Sequence, residues 1–219
     1  MTASRIIDLA KKQISVTEYP PDSNNVKYNT AYYGREVSGS KYAWCCTFIW
    51  WLFKKLGASE LFYGGDKTAS CTTLMSYYKK CGQEVKQYLP GDIVFYDWGK
   101  KDGYAYHVGI ITDVLPDGRI KAVEGNTSKN GSQDNGGAVL EQTRSKSQIV
   151  CVARPKYNVE EEHCEMRYKT LDDVPTWGRA TVEKLLNKDL LLGGDNGLDI
   201  SEDMLRIFVI NDRAGLYGE

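Results

Sequence analysis

The chain has 219 residues, of which 42% are hydrophobic, and this is enough for one mid-sized domain, alone or with a smaller one. Its formal net charge of −1 gives no indication of binding to nucleic acid or to an anionic membrane surface. No apolar run is long enough to span a bilayer. The first residues, MTASRIIDLAKKQ, lack the apolar core of a signal peptide. We therefore expect a protein that is made in the cytoplasm and stays there unless another system releases it.

Helices are predicted in the first part of the chain. One runs from Ile6 to about Ile14, and a polar, turn-rich stretch follows over residues 19–41. Apolar residues at helical spacing then predict a helix from Cys45 that ends near Gly57, with lysines in its last turn. Another short helix is expected over residues 73–82.

Short β-rich runs follow Pro90, separated by Gly, Asp, Asn and Pro. They cover residues 92–98, 106–114, 119–126, 138–144 and 149–155. Helices followed by an antiparallel sheet indicate the α+β class. We expect a catalytic domain at residues 1–157, a charged linker at 158–166 and a small helical module at 167–219, whose final helix is capped by Ser201.

The adjacent thiols of Cys45 and Cys46 lie where a loop gives way to a helix. Unpaired N–H groups and the helix dipole favour a thiolate at such a position, so a nucleophile is one interpretation and core packing is the other. Cys46 is turned about 100° further round the helix and is expected to pack as a small apolar residue. The chain has six cysteines and two histidines but no CxxC motif, and we expect neither a metal nor another cofactor.

His107 opens a predicted strand that a short loop joins to the next one. If residues 115–118 form a four-residue loop, Val114 pairs with Arg119, and His107 then lies opposite Asn126. Strand alternation places Glu124 and Asn126 on one face, where they meet the histidine. A histidine, a carboxylate and an amide would thus supply the base and the orienting groups that a nucleophilic cysteine requires.

The stretch WCCTFIWWLFKKLG resembles the cysteine motif of the CHAP domain, a branch of the NlpC/P60 papain-like superfamily of cysteine peptidases and amidases. Further pieces match in the same order: SNNVKYNTAYYG, LPGDIVFYDW, HVGIIT, VEGNTS and the closing strands. The resemblance covers roughly residues 20–157. It implies a papain-like fold of N-terminal helices packed on an antiparallel sheet.

The resemblance also implies residue roles: Cys45 is the nucleophile, His107 the base, and Glu124 with Asn126 the orienting pair. We expect the aromatic side chains of Trp44, Tyr96 and Trp98 to line a groove for a peptide stem or a glycan. Family members often have Asp before the histidine, and here that residue is Tyr106. The loop DWGKKDGYAY before it contains two lysines, which argues against calcium.

Similar proteins cleave amide bonds in bacterial peptidoglycan, as N-acetylmuramoyl-L-alanine amidases or as stem or cross-bridge endopeptidases. The resemblance therefore implies an endolysin-like hydrolase; the alternatives are a protein-directed cysteine peptidase, a toxin of the same fold, or a non-catalytic wall-binding protein. The last fifty or so residues are similar to one repeat of an S-layer-homology-like module. They are expected to bind cell-wall polymers, to support self-association, or to act only as a stabilising helical hairpin.

Overall fold

The structure is a computed structural model that describes residues 1–128, 136–158, 167–194 and 197–218. The chain divides into two compact units, Met1–Val159 and Glu160–Glu219. All of the predicted linker except residue 158, and residues 195–196 of a glycine-rich turn expected in the second unit, lie outside the described residues.

Over its described residues, the first unit contains four α-helices followed by a five-stranded sheet, which confirms the predicted α+β class. The helices are α1 (Ala3–Lys11), α2 (Lys27–Tyr33), α3 (Cys45–Lys55) and α4 (Cys71–Lys80). The strands are β1 (Ile93–Tyr96), β2 (His107–Val114), β3 (Ile120–Thr127), β4 (Ala138–Arg144) and β5 (Ile149–Ala153). Helix α2 was not predicted, because its apolar contact to the core depends on Tyr28 within a stretch of turn-forming residues.

The sheet has the order β4-β3-β2-β1-β5, and all its neighbouring strands are antiparallel. One face packs against the helices in the main hydrophobic core, to which the sheet contributes Ile93, Phe95, Val108, Ile110 and Val123. The other face carries a smaller cluster that includes Val94, Tyr96, Ile111, Ala122 and Val152. Because both faces are covered, side chains at the end of the central strands are largely withdrawn from water.

The β2–β3 hairpin differs from its predicted register at the turn and agrees with it closer to His107. Val114 pairs with Ile120 rather than with Arg119, so the loop is one residue longer than predicted. A β-bulge between Ile111 and Asp113 absorbs the extra residue, and Gly109 then pairs with Glu124 as the original count requires.

Helix α3 approaches the sheet closely because β3 has a glycine where the two meet. A Cβ atom at Gly125 would lie 2.7 Å from Cβ of Phe48 in α3, a distance that leaves no room for a side chain. The helix ends as predicted: Lys54 and Lys55 occupy its last turn, and Gly57 adopts a φ of 67° just beyond it. This packing fixes the start of α3 beside the sheet.

The second unit contains β6 (Arg167–Tyr168), α5 (Thr176–Asn187), β7 (Ile200–Ser201) and α6 (Glu202–Arg213). The two helices pack around a small core in which Leu205 contacts Gly178. The predicted cap of the last helix is confirmed, because the hydroxyl of Ser201 accepts a hydrogen bond from the Met204 amide at 3.2 Å. Within the described ranges, the chain forms no helix that is both long and apolar enough to cross a bilayer.

Candidate active site

Cys45 is the first residue of α3, with Trp44 at the N-cap position. No described side chain caps this helix, so the amides of its first turn have no side-chain acceptor. The residue is 6% exposed, so a small part of it is open to solvent. The helix start therefore offers Cys45 an electropositive setting.

His107 and Glu124 form the charged centre of the site. Nε2 of His107 lies 3.0 Å from Oε2 of Glu124, and both side chains are buried. Gly109, on the same strand as His107, pairs with Glu124 and leaves room for its side chain, because a Cβ atom there would lie 2.8 Å from Cγ of Glu124. The structure thus brings together the histidine and the carboxylate that sequence reasoning paired.

Arg144, which sequence reasoning missed, completes this centre from the end of β4. Its Nε donates to Oε1 of Glu124 at 2.9 Å, and its Nη2 donates to Oε2 at 2.6 Å. The guanidinium carbon also lies 4.9 Å from the ring centroid of Trp98. This bidentate pair fixes the carboxylate plane that faces His107, and the sequence gives no local signal for it because the two residues lie on different strands.

These contacts determine the pKa of the histidine and of its carboxylate partner. Burial disfavours the charged imidazole, but hydrogen bonds to Cys45 and Glu124 outweigh burial and raise the pKa of His107 to about 9. Burial likewise acts to raise the pKa of Glu124, but Arg144 and His107 hold it below its ordinary value. The histidine is therefore protonated at neutral pH, beside a carboxylate that stays ionised.

The pKa of Cys45 differs from the expectation based on the helix start. A hydrogen bond with Cys71, whose Sγ lies 3.5 Å away, and burial raise the pKa of the Cys45 thiol well above its ordinary value. The interaction with His107 acts in the opposite direction. The lowered pKa expected from the helix start alone was wrong, because a second thiol and the surrounding core were not visible in the sequence.

Cys46 packs in the core, where it interacts with the Cys71 thiol. It is fully buried, and its Sγ donates to the carbonyl oxygen of Thr68 at 3.4 Å. The two adjacent cysteines therefore differ in surroundings: Cys45 lies beside His107, whereas Cys46 packs against the loop before α4.

Asn126 is buried at the end of β3, but the argument that placed it beside Glu124 does not hold. The residue has a left-handed backbone with a φ of 57°, and the β3–β4 pairing is irregular between Glu124 and Thr127, so strand alternation stops before it. Its Oδ1 is buried and has no hydrogen-bond partner among the residues that the structure describes. An orienting role for Asn126 stays a prediction.

Two of the three aromatic residues expected to line a groove are core residues. Trp44 is fully buried and donates from Nε1 to Oε2 of Glu18 at 3.1 Å. Tyr96 is also fully buried, with its ring 5.8 Å from the His107 ring. The prediction of a groove is wrong for both, because neither presents surface to a ligand. Trp98 is partly exposed and stacks on Tyr96 at 5.1 Å.

The loop before His107 is organised by hydrogen bonds between its own residues. The carboxylate of Asp97 accepts hydrogen bonds from the amides of Gly99 and Lys101, and the hydroxyl of Tyr106 donates to Asp102 at 2.6 Å. Within the described part of the chain, no group of three or more His, Cys, Asp and Glu residues is placed to hold a metal ion.

Comparison with known families addresses the part of the chain that builds this site. Residues 37–126 match the family described as the CHAP domain. This part of the chain is therefore similar to a CHAP domain. Cys45, His107, Glu124 and Asn126 all lie inside the matched segment, whereas Arg144 lies beyond it. No curated protein sequence shows significant similarity to the chain.

A solved structure described as the crystal structure of a wild type endolysin, LysIME-EF1, is similar to the chain. The sequence identity is 15%, and the match covers 73% of this chain and 66% of the endolysin, with a TM-score of 0.44. The chain therefore spans just under two thirds of the length of that endolysin. This likeness is too weak to assign a residue role.

Proposed function

We propose that the CHAP-like domain is a peptidoglycan hydrolase that cleaves an amide bond with Cys45 as its nucleophile. The observation that carries the proposal is the buried array in which Cys45, at the start of α3, meets a histidine held by a carboxylate. Peptidoglycan is the substrate class that similarity to the CHAP domain implies. The array is a general amide-hydrolysis site, so the substrate and the bond are tested separately.

In the proposed reaction Cys45 first loses its proton to solvent, and its thiolate then attacks the amide carbonyl carbon. His107 acts as the imidazolium, because a pKa of about 9 keeps it protonated at neutral pH and the Glu124 carboxylate stabilises its charge. Cys71 and burial oppose the ionisation of Cys45, and the adjacent imidazolium favours it.

The tetrahedral intermediate needs donors for its oxyanion. In this proposal the amides in the first turn of α3 supply them, because the helix has no capping side chain among the described residues. Collapse of the intermediate breaks the C–N bond, and the His107 imidazolium gives its proton to the departing amine. Water, activated by the same histidine, then hydrolyses the thioester to release a carboxylic acid and restore Cys45.

We also propose that the second unit assists by binding wall polymers or by self-association. The observation in favour is an apolar stripe on α6, where Met204, Ile207 and Ile210 are exposed at helical spacing. A chain that ends at residue 157 should bind less to purified sacculi in a sedimentation assay, or should form particles with fewer chains than the full-length protein does. If both stay unchanged, the unit has neither role.

Mass spectrometry of fragments released from purified Gram-positive sacculi tests the main proposal. A free lactyl carboxylate on muramic acid with a new alanine amine indicates an amidase, and a new amine within the stem or cross-bridge indicates an endopeptidase. Release of reducing sugar ends alone, or no release at all, would contradict it. The Cys45→Ala variant is the control, and hydrolysis of a protein substrate in place of sacculi would favour the protein-directed alternative.

A further inference from the structure

Cys71 is a second thiol beside Cys45 that takes no part in the proposed mechanism. The two Sγ atoms lie 3.5 Å apart, and each cysteine is the first residue of its helix. A disulfide has an S–S distance of about 2.05 Å, so the two sulfur atoms need to approach by about 1.5 Å. Both residues are 6% exposed, which admits a small oxidant.

Hydrogen bonds at the start of α4 fix the position of Cys71. The hydroxyl of Thr72 donates to the carbonyl oxygen of Ala105 at 3.1 Å and accepts from its amide at 3.0 Å. These bonds tie the start of α4 to the chain two residues before His107. The hydroxyl of Ser70 caps the same helix by accepting from the Thr73 amide at 3.2 Å. Cys71 is therefore held in place beside Cys45.

We propose that Cys45 and Cys71 are an oxidation site that takes a hydroperoxide and converts it into a reversible intramolecular disulfide. The Cys45 thiolate attacks one peroxide oxygen, the O–O bond breaks, and the products are a sulfenic acid and hydroxide, which takes a proton to become water or an alcohol. The Cys71 sulfur then attacks the Cys45 sulfur, the S–O bond breaks, and a second water leaves with the Cys71 proton. In total the peroxide gains two electrons and two thiols lose them.

We assign the first reaction to Cys45 because its sulfur contacts His107, whose interaction favours the thiolate against the opposing effects of Cys71 and burial. The disulfide occupies the sulfur that attacks substrate, so the oxidised chain is inactive until a thiol reductant opens it. The bond also protects Cys45 from sulfinic and sulfonic acids, which simple thiols do not reverse. The loss of hydrolytic activity rests on the proposed function, whereas the disulfide itself does not.

The test treats the reduced full-length chain with a small excess of hydrogen peroxide and measures the intact mass of the monomer. We expect the wild type to lose the mass of two hydrogen atoms, to lose two titratable thiols, and to recover both with dithiothreitol. The Cys71→Ser variant should instead gain the mass of two or three oxygen atoms at Cys45 and stay modified after dithiothreitol. The Cys46→Ala variant is the matched control and should still form the disulfide.

Hydrolysis of sacculi is measured in parallel. It should be lost when the disulfide forms, and it should return after dithiothreitol treatment in the wild type only. A disulfide that persists in the Cys71→Ser variant, or wild-type chain that gains oxygen without losing two hydrogen atoms, overturns the proposal. If none of the reduced forms hydrolyses sacculi but the mass changes follow the expected pattern, the proposed function fails and the oxidation site stands.

Discussion

Replacing Arg144 with methionine removes both donors that hold Glu124. The Arg144 side chain is 6% exposed and Glu124 is fully buried, so water cannot replace the lost hydrogen bonds. Breaking a buried ion pair by removing one partner costs about 3–5 kcal/mol. In a domain of this size each kcal/mol lowers Tm by about 2–4 °C, so Arg144→Met should unfold roughly 6–20 °C below the wild type at pH 7.

The effect should depend on pH in a direction fixed by Glu124. Its pKa in the folded wild type lies below its ordinary value, so it contributes stability that is present above its unfolded pKa and is lost as the pH falls through its folded pKa. Without Arg144 the buried carboxyl protonates more readily. The difference in Tm between the two proteins should therefore be largest near neutral pH and should shrink in acid.

Thermal unfolding followed by circular dichroism, with activity on sacculi measured in parallel, checks both statements. Arg154→Met is the matched control: Arg154 also forms two hydrogen bonds to a carboxylate, that of Asp92, but its side chain is 36% exposed. It should lose less stability and keep its activity. Arg144→Lys keeps the positive charge but cannot form the bidentate pair with Glu124, so it should fold but lose activity by about 10²-fold. A Tm of Arg144→Met within about 2 °C of the wild type at pH 7 would refute the reasoning.

Two further predictions concern the groups around Glu124. The His107 ring proton should titrate by NMR near pH 9 rather than 6.5, and because the chain has one other histidine, His163→Gln gives the assignment. Since the pKa of His107 is raised, the stability that it provides is full below pH 6.5 and declines as the pH rises through about 9. Titration near pH 6.5 would show that the Glu124 contact is absent in solution. Gly109→Ala should lower Tm and activity, with a loss of about 1–3 kcal/mol of stability, because the added methyl group meets Glu124. Gly194→Ala is the control, because it adds the same group in open space and should change neither. Equal thermal unfolding curves for the two variants would contradict the close approach at Gly109.

The order of the strands and two of the three residues of the charged centre could be read from the sequence because the signals are local. Short β-rich runs between turn residues predicted all five strands of the sheet. The hairpin count from His107 to Glu124 was correct near the site, although it was one residue short at the turn. The bulge that restored the register cannot be seen in a hydrophobic pattern, because it adds a residue without changing the residue types around it.

The remaining features depend on contacts between distant segments. Arg144 reaches Glu124 through the pairing of β3 with β4, and Cys71 reaches Cys45 because α4 is tied to the chain before His107. Neither residue belongs to a motif around its partner. Trp44 adjoins the cysteine, which suggests a substrate contact, but the hydrogen bond to Glu18 that retains it in the core joins residues 26 positions apart.

The central claim is that Cys45, and not the adjacent Cys46, attacks the amide bond. The most direct measurement is the rate at which new amines appear when purified sacculi are incubated with the wild type, Cys45→Ala and Cys46→Ala, each reduced beforehand and checked for folding. The account predicts no release above background with Cys45→Ala and a rate close to wild type with Cys46→Ala. Continued amine release by a folded Cys45→Ala protein would contradict it.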